Sequence, residues 1–80
     1  MNREQLTDRL TALGIDPTAY CLSGGLPNES LVLNQEPSGE WQVYYSERGQ
    51  KSGLRIFDSE DNAVHFFLEV ILHDSAVRRI

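Results

Sequence analysis

His65, Glu69 and His73 recur at every fourth position. On a helix they form one stripe, and two imidazoles with a carboxylate are metal-ligand chemistry. The spacing differs from H-E-x-x-H, in which adjacent turns aim both imidazoles at one ion. The stripe also lies opposite the apolar face of its helix. The solvated polar side of an amphipathic helix accounts for it better, and no metal is expected.

Cys21 is the other reactive side chain, a nucleophile if one of the histidines served as its base. It has no basic neighbour and no helix N-terminus directly after it to stabilise a thiolate. A small buried residue is the simpler reading, and a lone cysteine excludes an internal disulfide. "SGGLPNES", residues 23 to 30, has the glycines of a phosphate loop but no lysine, and it leads into a strand instead of a helix. Its glycines read as freedom at a turn, with Leu26, Asn28 and Glu29 as a contact ridge. Asp58, Glu60 and Asp61 cluster where a helix begins, the place acids favour because of the helix dipole. General acid–base work needs a sheltered pocket, which a small domain hardly offers. The residues thus predict a chain that is not an enzyme and uses no cofactor or small-molecule substrate.

"WQVYYSERGQKSG", residues 41 to 53, carries a different kind of chemistry. Trp41, Val43 and Tyr45 alternate with Gln42, Tyr44 and Ser46, and the strand runs into a polar loop with Glu47, Arg48, Gln50 and Lys51. Aromatics fit a pleated, half-buried surface, and charges fit a solvated hairpin tip. Tyrosine and arginine are also enriched where proteins bind one another. Tyr44, Arg55 and Phe57 are expected to share an open sheet face beside the projecting loop, a surface suited to protein recognition.

The elements that position these residues follow from periodicity. Leu6, Leu10 and Leu13 mark a helix over 3–13. Asn2 and Gln5 make a capping box, and Gly14 with Ile15 make a Schellman ending that returns Ile15 to Leu10. Asp16 and Pro17 start a short helical turn. Strands are expected over 30–35, 40–46 and 53–58, separated by the Pro37–Gly39 turn and by a reversal around Arg48 and Gly49. Ser59 caps a second helix running to about residue 74, apolar over more than half its girth. "SAVRRI" reads as a tail.

The predicted fold is α+β in the order α-β-β-β-α. It is a three-stranded antiparallel meander with both helices packed on one face. Leu31, Leu33, Trp41, Val43, Tyr45, Leu54 and Ile56 should form the inner layer. Val32, Asn34, Gln42, Tyr44, Arg55 and Phe57 should form an uncovered outer face.

The eighty residues make a single domain, 1–80, which buries about 60 to 65% of its unfolded surface. The net charge is −5. Residues 1 to 40 hold Glu4, Asp8, Asp16, Glu29, Glu36 and Glu40 against Arg3 and Arg9. Such a chain lacks the basic stripe of a nucleic-acid binder and suits a basic protein partner. No apolar run is long enough for a membrane span, and the start lacks the pattern of a secretion signal, so a soluble cytoplasmic protein is expected.

The pieces "AYCLSGGLPNES", "WQVYYSERGQKSG" and "FDSEDNAVHFFL" resemble small bacterial immunity proteins encoded beside toxins of interbacterial competition, the kind type VI secretion delivers. The closest resemblance is to immunity proteins of NAD(P)-glycohydrolase effectors related to the tuberculosis necrotizing toxin. It implies a heterodimer with a cognate toxin whose dinucleotide cleft the immunity protein occludes. Tyr44, Ser46, Glu47, Arg48, Gln50, Lys51 and Arg55, with Leu26, Asn28 and Glu29, are the contact residues this implies. A small interaction or regulatory module outside any toxin system is the alternative.

Overall fold

The computed structural model describes residues 1–73. The expected tail, and position 74 at the end of the second helix, lie outside the described residues. Helix α1 spans Arg3–Ala12. The Asn2 side chain accepts from the Gln5 backbone N–H at 2.8 Å, and the Asn2 N–H donates to the Gln5 side chain at 2.9 Å. The helix ends as its sequence predicts. Gly14 takes φ 71°, its N–H donates to the Thr11 carbonyl, and the Ile15 N–H reaches the Leu10 carbonyl. Both bonds belong to the Schellman motif, and they place Ile15 and Leu10 in the core.

A 3₁₀ turn over Pro17–Ala19, capped by Asp16, leads into strand β1, Tyr20–Cys21. Strands β2 (Ser30–Gln35), β3 (Trp41–Glu47) and β4 (Gln50–Phe57) follow, then helix α2 (Glu60–His73). The Ser59 hydroxyl accepts from the Asn62 N–H at 3.2 Å, as its capping role requires. The sheet order is β1-β2-β3-β4. The three later strands form the expected antiparallel meander. The fourth strand was not expected: β1 pairs parallel with β2, Tyr20 beside Leu31 and Cys21 beside Val32. Two residues carry no readable period, and parallel pairing over so short a span depends on the loop that brings them there.

Leu6 and Leu10 of α1, Leu33, Trp41 and Val43 of the sheet, and Ala63, Val64, Phe67 and Ile71 of α2 form one core. Both helices therefore serve the same sheet face, as predicted. Each fully buried leucine, isoleucine or phenylalanine stabilises the fold by about 1.5–3 kcal/mol. The helices are also tied to each other at their starts. The Arg3 N–H donates to the Glu60 carboxylate at 2.9 Å, and the Met1 ammonium pairs with Asp61. That hydrogen bond holds the Asp61 carboxyl below its usual range.

The two faces of β4 are reversed from the expected assignment. Phe57 sits opposite Trp41 and Arg55 opposite Val43, so both face the helices. Phe57 packs on the core and against the Phe66 ring, with centroids 5.3 Å apart. Leu54 and Ile56 point the other way, 44% and 56% exposed. The cause is a bulge. Tyr45 pairs with Ser52 but Val43 with Arg55, so one extra β4 residue stands opposite Tyr44. Gly53 at that point has φ +63°, the left-handed conformation that a glycine bulge uses. Because side chains alternate with period two, one inserted residue exchanges inside for outside in all that follows.

The outer face of β2 and β3 is covered as well, contrary to expectation. Val32 is 0% and Tyr44 1% exposed, and Gln42 and Ser46 are buried. The covering element precedes the sheet in sequence: loop 22–29 folds back across this face. The Gly24 N–H donates to the Leu33 carbonyl at 3.1 Å. Cys21 Sγ donates to the Gly24 carbonyl at 3.3 Å. The Tyr44 hydroxyl donates to the Gly25 carbonyl at 2.6 Å.

Candidate functional site

The reversal between β3 and β4 is tighter than its polar composition suggested. Strand β3 ends at Glu47 and β4 begins at Gln50, which leaves Arg48 and Gly49 as a two-residue turn. Their φ angles are 53° and 76°, the pair of positive values that a type I′ connection needs. Gln50 and Lys51 are thus strand residues paired with Glu47 and Ser46. A glycine at the second turn position is expected. Arginine at the first holds a conformation that costs an ordinary side chain about 1–2 kcal/mol.

A contact from outside the hairpin helps hold it. The Arg48 N–H donates to Asn28 Oδ1 at 3.4 Å. Asn28 in turn is fixed close to the start of β2, because the Ser30 hydroxyl donates to the Asn28 carbonyl at 3.3 Å and to the Thr18 carbonyl at 2.9 Å. Ser30 pairs with Ser46 across the ladder, so the end of loop 22–29 lies alongside the hairpin tip. Leu26, Asn28, Glu29, Glu47, Arg48 and Gln50 are all exposed, with Leu26 at 51%. The contact ridge and the hairpin tip expected from sequence therefore belong to one end of the molecule.

Three further expected contact residues stand elsewhere. Tyr44 is buried beneath the loop, not open on the sheet. Burial, followed by the negative charge of Cys21 and Glu36 when ionised, pushes its phenol above the usual value. Ser46 is fully buried beside it in β3. Neither side chain is open to solvent, because the loop occupies the space a partner was expected to fill. Arg55 is exposed but faces the helix side, with its guanidinium 5.7 Å from the centroid of the Phe66 ring. Lys51 remains near Tyr44, its ammonium 4.6 Å from the ring centroid, and supplies a cation at the rim of the covered face.

Leu54 and Ile56 are the surface residues that sequence reasoning placed in the core. A signal for them existed: a glycine inside a strand pattern marks a bulge.

The metal stripe finds no support in the geometry. Among the described residues, no three His, Cys, Asp or Glu side chains come together as a cation site. His65 instead sits 3.5 Å from Asp61, one turn earlier on α2. Among the described residues no helix is long and apolar enough to cross a membrane.

Fold and surface together define a small α+β domain with a four-stranded mixed sheet and a braced, charged hairpin at one end. Compared with protein families, curated proteins and solved structures, the chain matches none.

Proposed function

We propose that this chain is a non-enzymatic binding protein that neutralises a cognate bacterial toxin by occluding its active-site cleft. The Glu47–Lys51 hairpin is the inserted element. The observation that carries the reading is the braced two-residue turn. Arg48 and Gly49 are set by their backbone angles and by Asn28, and Glu47, Arg48 and Gln50 project from them into solvent. A loop already in its bound shape loses little conformational freedom on association.

Its chemistry suits a cleft built for a polar, anionic ligand. The Glu47 carboxylate can take the cationic groups that would otherwise hold dinucleotide phosphates, in charge-assisted hydrogen bonds. The resemblance to immunity proteins of NAD(P)-glycohydrolase effectors supplies the class of toxin. Half of a standard interface is about 800 Å², roughly one sixth of the 4930 Å² accessible surface. A hairpin tip alone is too small for that, so Leu26, Asn28 and Glu29 belong to the same contact.

Affinity capture of the partner from the producing cell, followed by co-expression with the captured protein, tests the proposal. The expected result is a stable one-to-one complex with a toxin and rescue of its host. Capture of a regulatory protein with no toxicity would replace this reading with that of an interaction module outside any toxin system.

A further inference from the structure

Strand β4 is an edge: it pairs with β3 and with no other strand among the described residues. Every residue from Gln50 to Ile56 is exposed. Alternate backbone N–H and C=O groups of such a strand point away from its only neighbour and form a template for another chain. Here the template carries a distinct set of side chains. Arg48, Lys51 and Arg55 fall within residues 48–57, which contain no acid, on a chain of net charge −5. None of the three makes an ion pair among the described residues. Leu54 and Ile56 stand exposed beside them.

We propose that the free edge of β4 binds an extended segment of the partner protein as a fifth strand. That segment carries an acidic side chain opposite Arg55 on the helix face, alternating with apolar ones opposite Leu54 and Ile56 on the outer face, and Lys51 lies beyond the bulge as a further cation for it. This mode draws affinity from main-chain hydrogen bonds and selectivity from alternate side chains. The inference rests on the protein-binding reading and extends its contact from the hairpin tip along the adjoining strand.

A second copy of this chain is the poorer occupant. The antiparallel register that lays Leu54 of one copy against Ile56 of the other also sets Arg55 against Arg55. Like charges directly opposite one another destabilise a strand pair. The bulge at Gly53 and the lysine are also devices by which edge strands resist indiscriminate pairing. What deters self-association here therefore favours an acidic strand.

The test uses the full chain, isotope-labelled, and two octapeptides: one alternating glutamate with valine, the other lysine with valine. Backbone chemical shifts and amide exchange report the site. The glutamate peptide should slow exchange of amides within residues 50–57 and bind about tenfold or more tightly than the lysine peptide. The double variant Lys51→Glu with Arg55→Glu, at exposed positions, should reverse that preference. Equal binding of the two peptides, no binding, a footprint away from β4, or protection of β4 by self-association would overturn the inference. A toxin that binds through the hairpin tip and is indifferent to the β4 charge reversal would also overturn it, while leaving the hairpin reading intact. Strand addition at β4 in a chain that protects against no toxin supports the inference and removes the toxin reading alone.

Discussion

The Tyr44 hydroxyl donates a 2.6 Å hydrogen bond to the Gly25 carbonyl, nineteen positions earlier in the chain. This bond fastens loop 22–29 over the outer sheet face and turns an open surface into a second, smaller buried layer. Tyr44→Phe keeps the ring and removes the bond, at a cost of about 0.5–1.5 kcal/mol. Urea denaturation should show a lowered midpoint with little change in slope. Faster amide exchange should be confined to the loop and β3.

The same residue makes stability depend on alkaline pH. Burial raises the folded-state value of the Tyr44 phenol above its ordinary 10.0. The folded state therefore holds this proton more tightly than the unfolded chain. The resulting stability is fully present below pH 10 and is lost as pH rises through the raised folded value. Denaturant midpoints measured from neutral pH upward should fall above about pH 10, and the fall should be shallower in Tyr44→Phe. Equal slopes in the two proteins would mean that Tyr44 ionises in the folded state as it does in water.

Gly24 tests how closely the loop lies on the sheet. It has φ +78°, and a Cβ there would stand 2.4 Å from Asn34 Oδ1. Asn34 is restrained in turn, since its amide nitrogen donates to Glu36 at 3.2 Å and to Gln42 at 3.4 Å. Gly25 has a similar φ of +86° but open space around it. Gly25→Ala should cost the left-handed penalty of about 1–2 kcal/mol. Gly24→Ala should cost more than that, and paired denaturation curves decide it. Equal costs would show that Asn34 rotates out of the way.

Local rules made much of this fold readable. The Asn2–Gln5 box, the Gly14–Ile15 ending and the Ser59 cap are short-range signals, and each is found where the sequence places it. The leucine spacing of α1 and the alternation of β3 identified Leu6, Leu10, Trp41 and Val43 of the core in the same way. Gly53 marks where that kind of reading stops. From the turn onward, unbroken alternation sets Leu54 against Val43 and Ile56 against Trp41, a sensible hydrophobic pattern. A glycine inside a strand pattern is a bulge signal, but only the tertiary ladder fixes which register follows and shows that Phe57 is the inward residue. Tyr44 marks a second limit. Its period correctly assigns it to the outer face, but nothing in its neighbours tells that loop 22–29 returns to cover it. For the candidate site, the hairpin tip and Leu26, Asn28 and Glu29 were readable as exposed turns, whereas the exposure of Leu54 and Ile56 depended on the bulge.

The bulge gives two changes, a deletion and a substitution, with different expected costs. Deleting Gly53 removes the extra residue and leaves Leu54 opposite Tyr44 with Arg55 still opposite Val43, so the faces of β4 are preserved. Gly53→Val keeps the residue but forces a β-branched side chain toward a left-handed conformation it strongly disfavours. The deletion should therefore be the milder change, and the valine variant should cost about 2 kcal/mol or more. Exchange protection across β3–β4 and the environment of Phe57 distinguish them. Loss of Phe57 packing in the deletion but not in the valine variant would contradict the assigned register.

The hairpin tip separates stability from recognition. Arg48 holds φ 53°, so Arg48→Gly removes a backbone penalty and should stabilise the fold by up to about 1 kcal/mol, less whatever entropy glycine restores to the unfolded chain. Glu47→Ala with Arg48→Ala retains a side chain with a Cβ at both positions. Neither residue makes an ion pair among the described residues, and both are exposed. The unfolding free energy of the double variant should therefore change by no more than about 0.5 kcal/mol. Its affinity for the captured partner should nevertheless fall about tenfold or more, because the few residues at the centre of an interface that dominate its affinity cost about 2 kcal/mol or more when truncated. Calorimetric titration against the partner, run beside thermal unfolding of the free variant, reads both quantities. Unchanged affinity with an unchanged fold would move the interface away from residues 47 and 48, and a matched loss of stability would make their role structural.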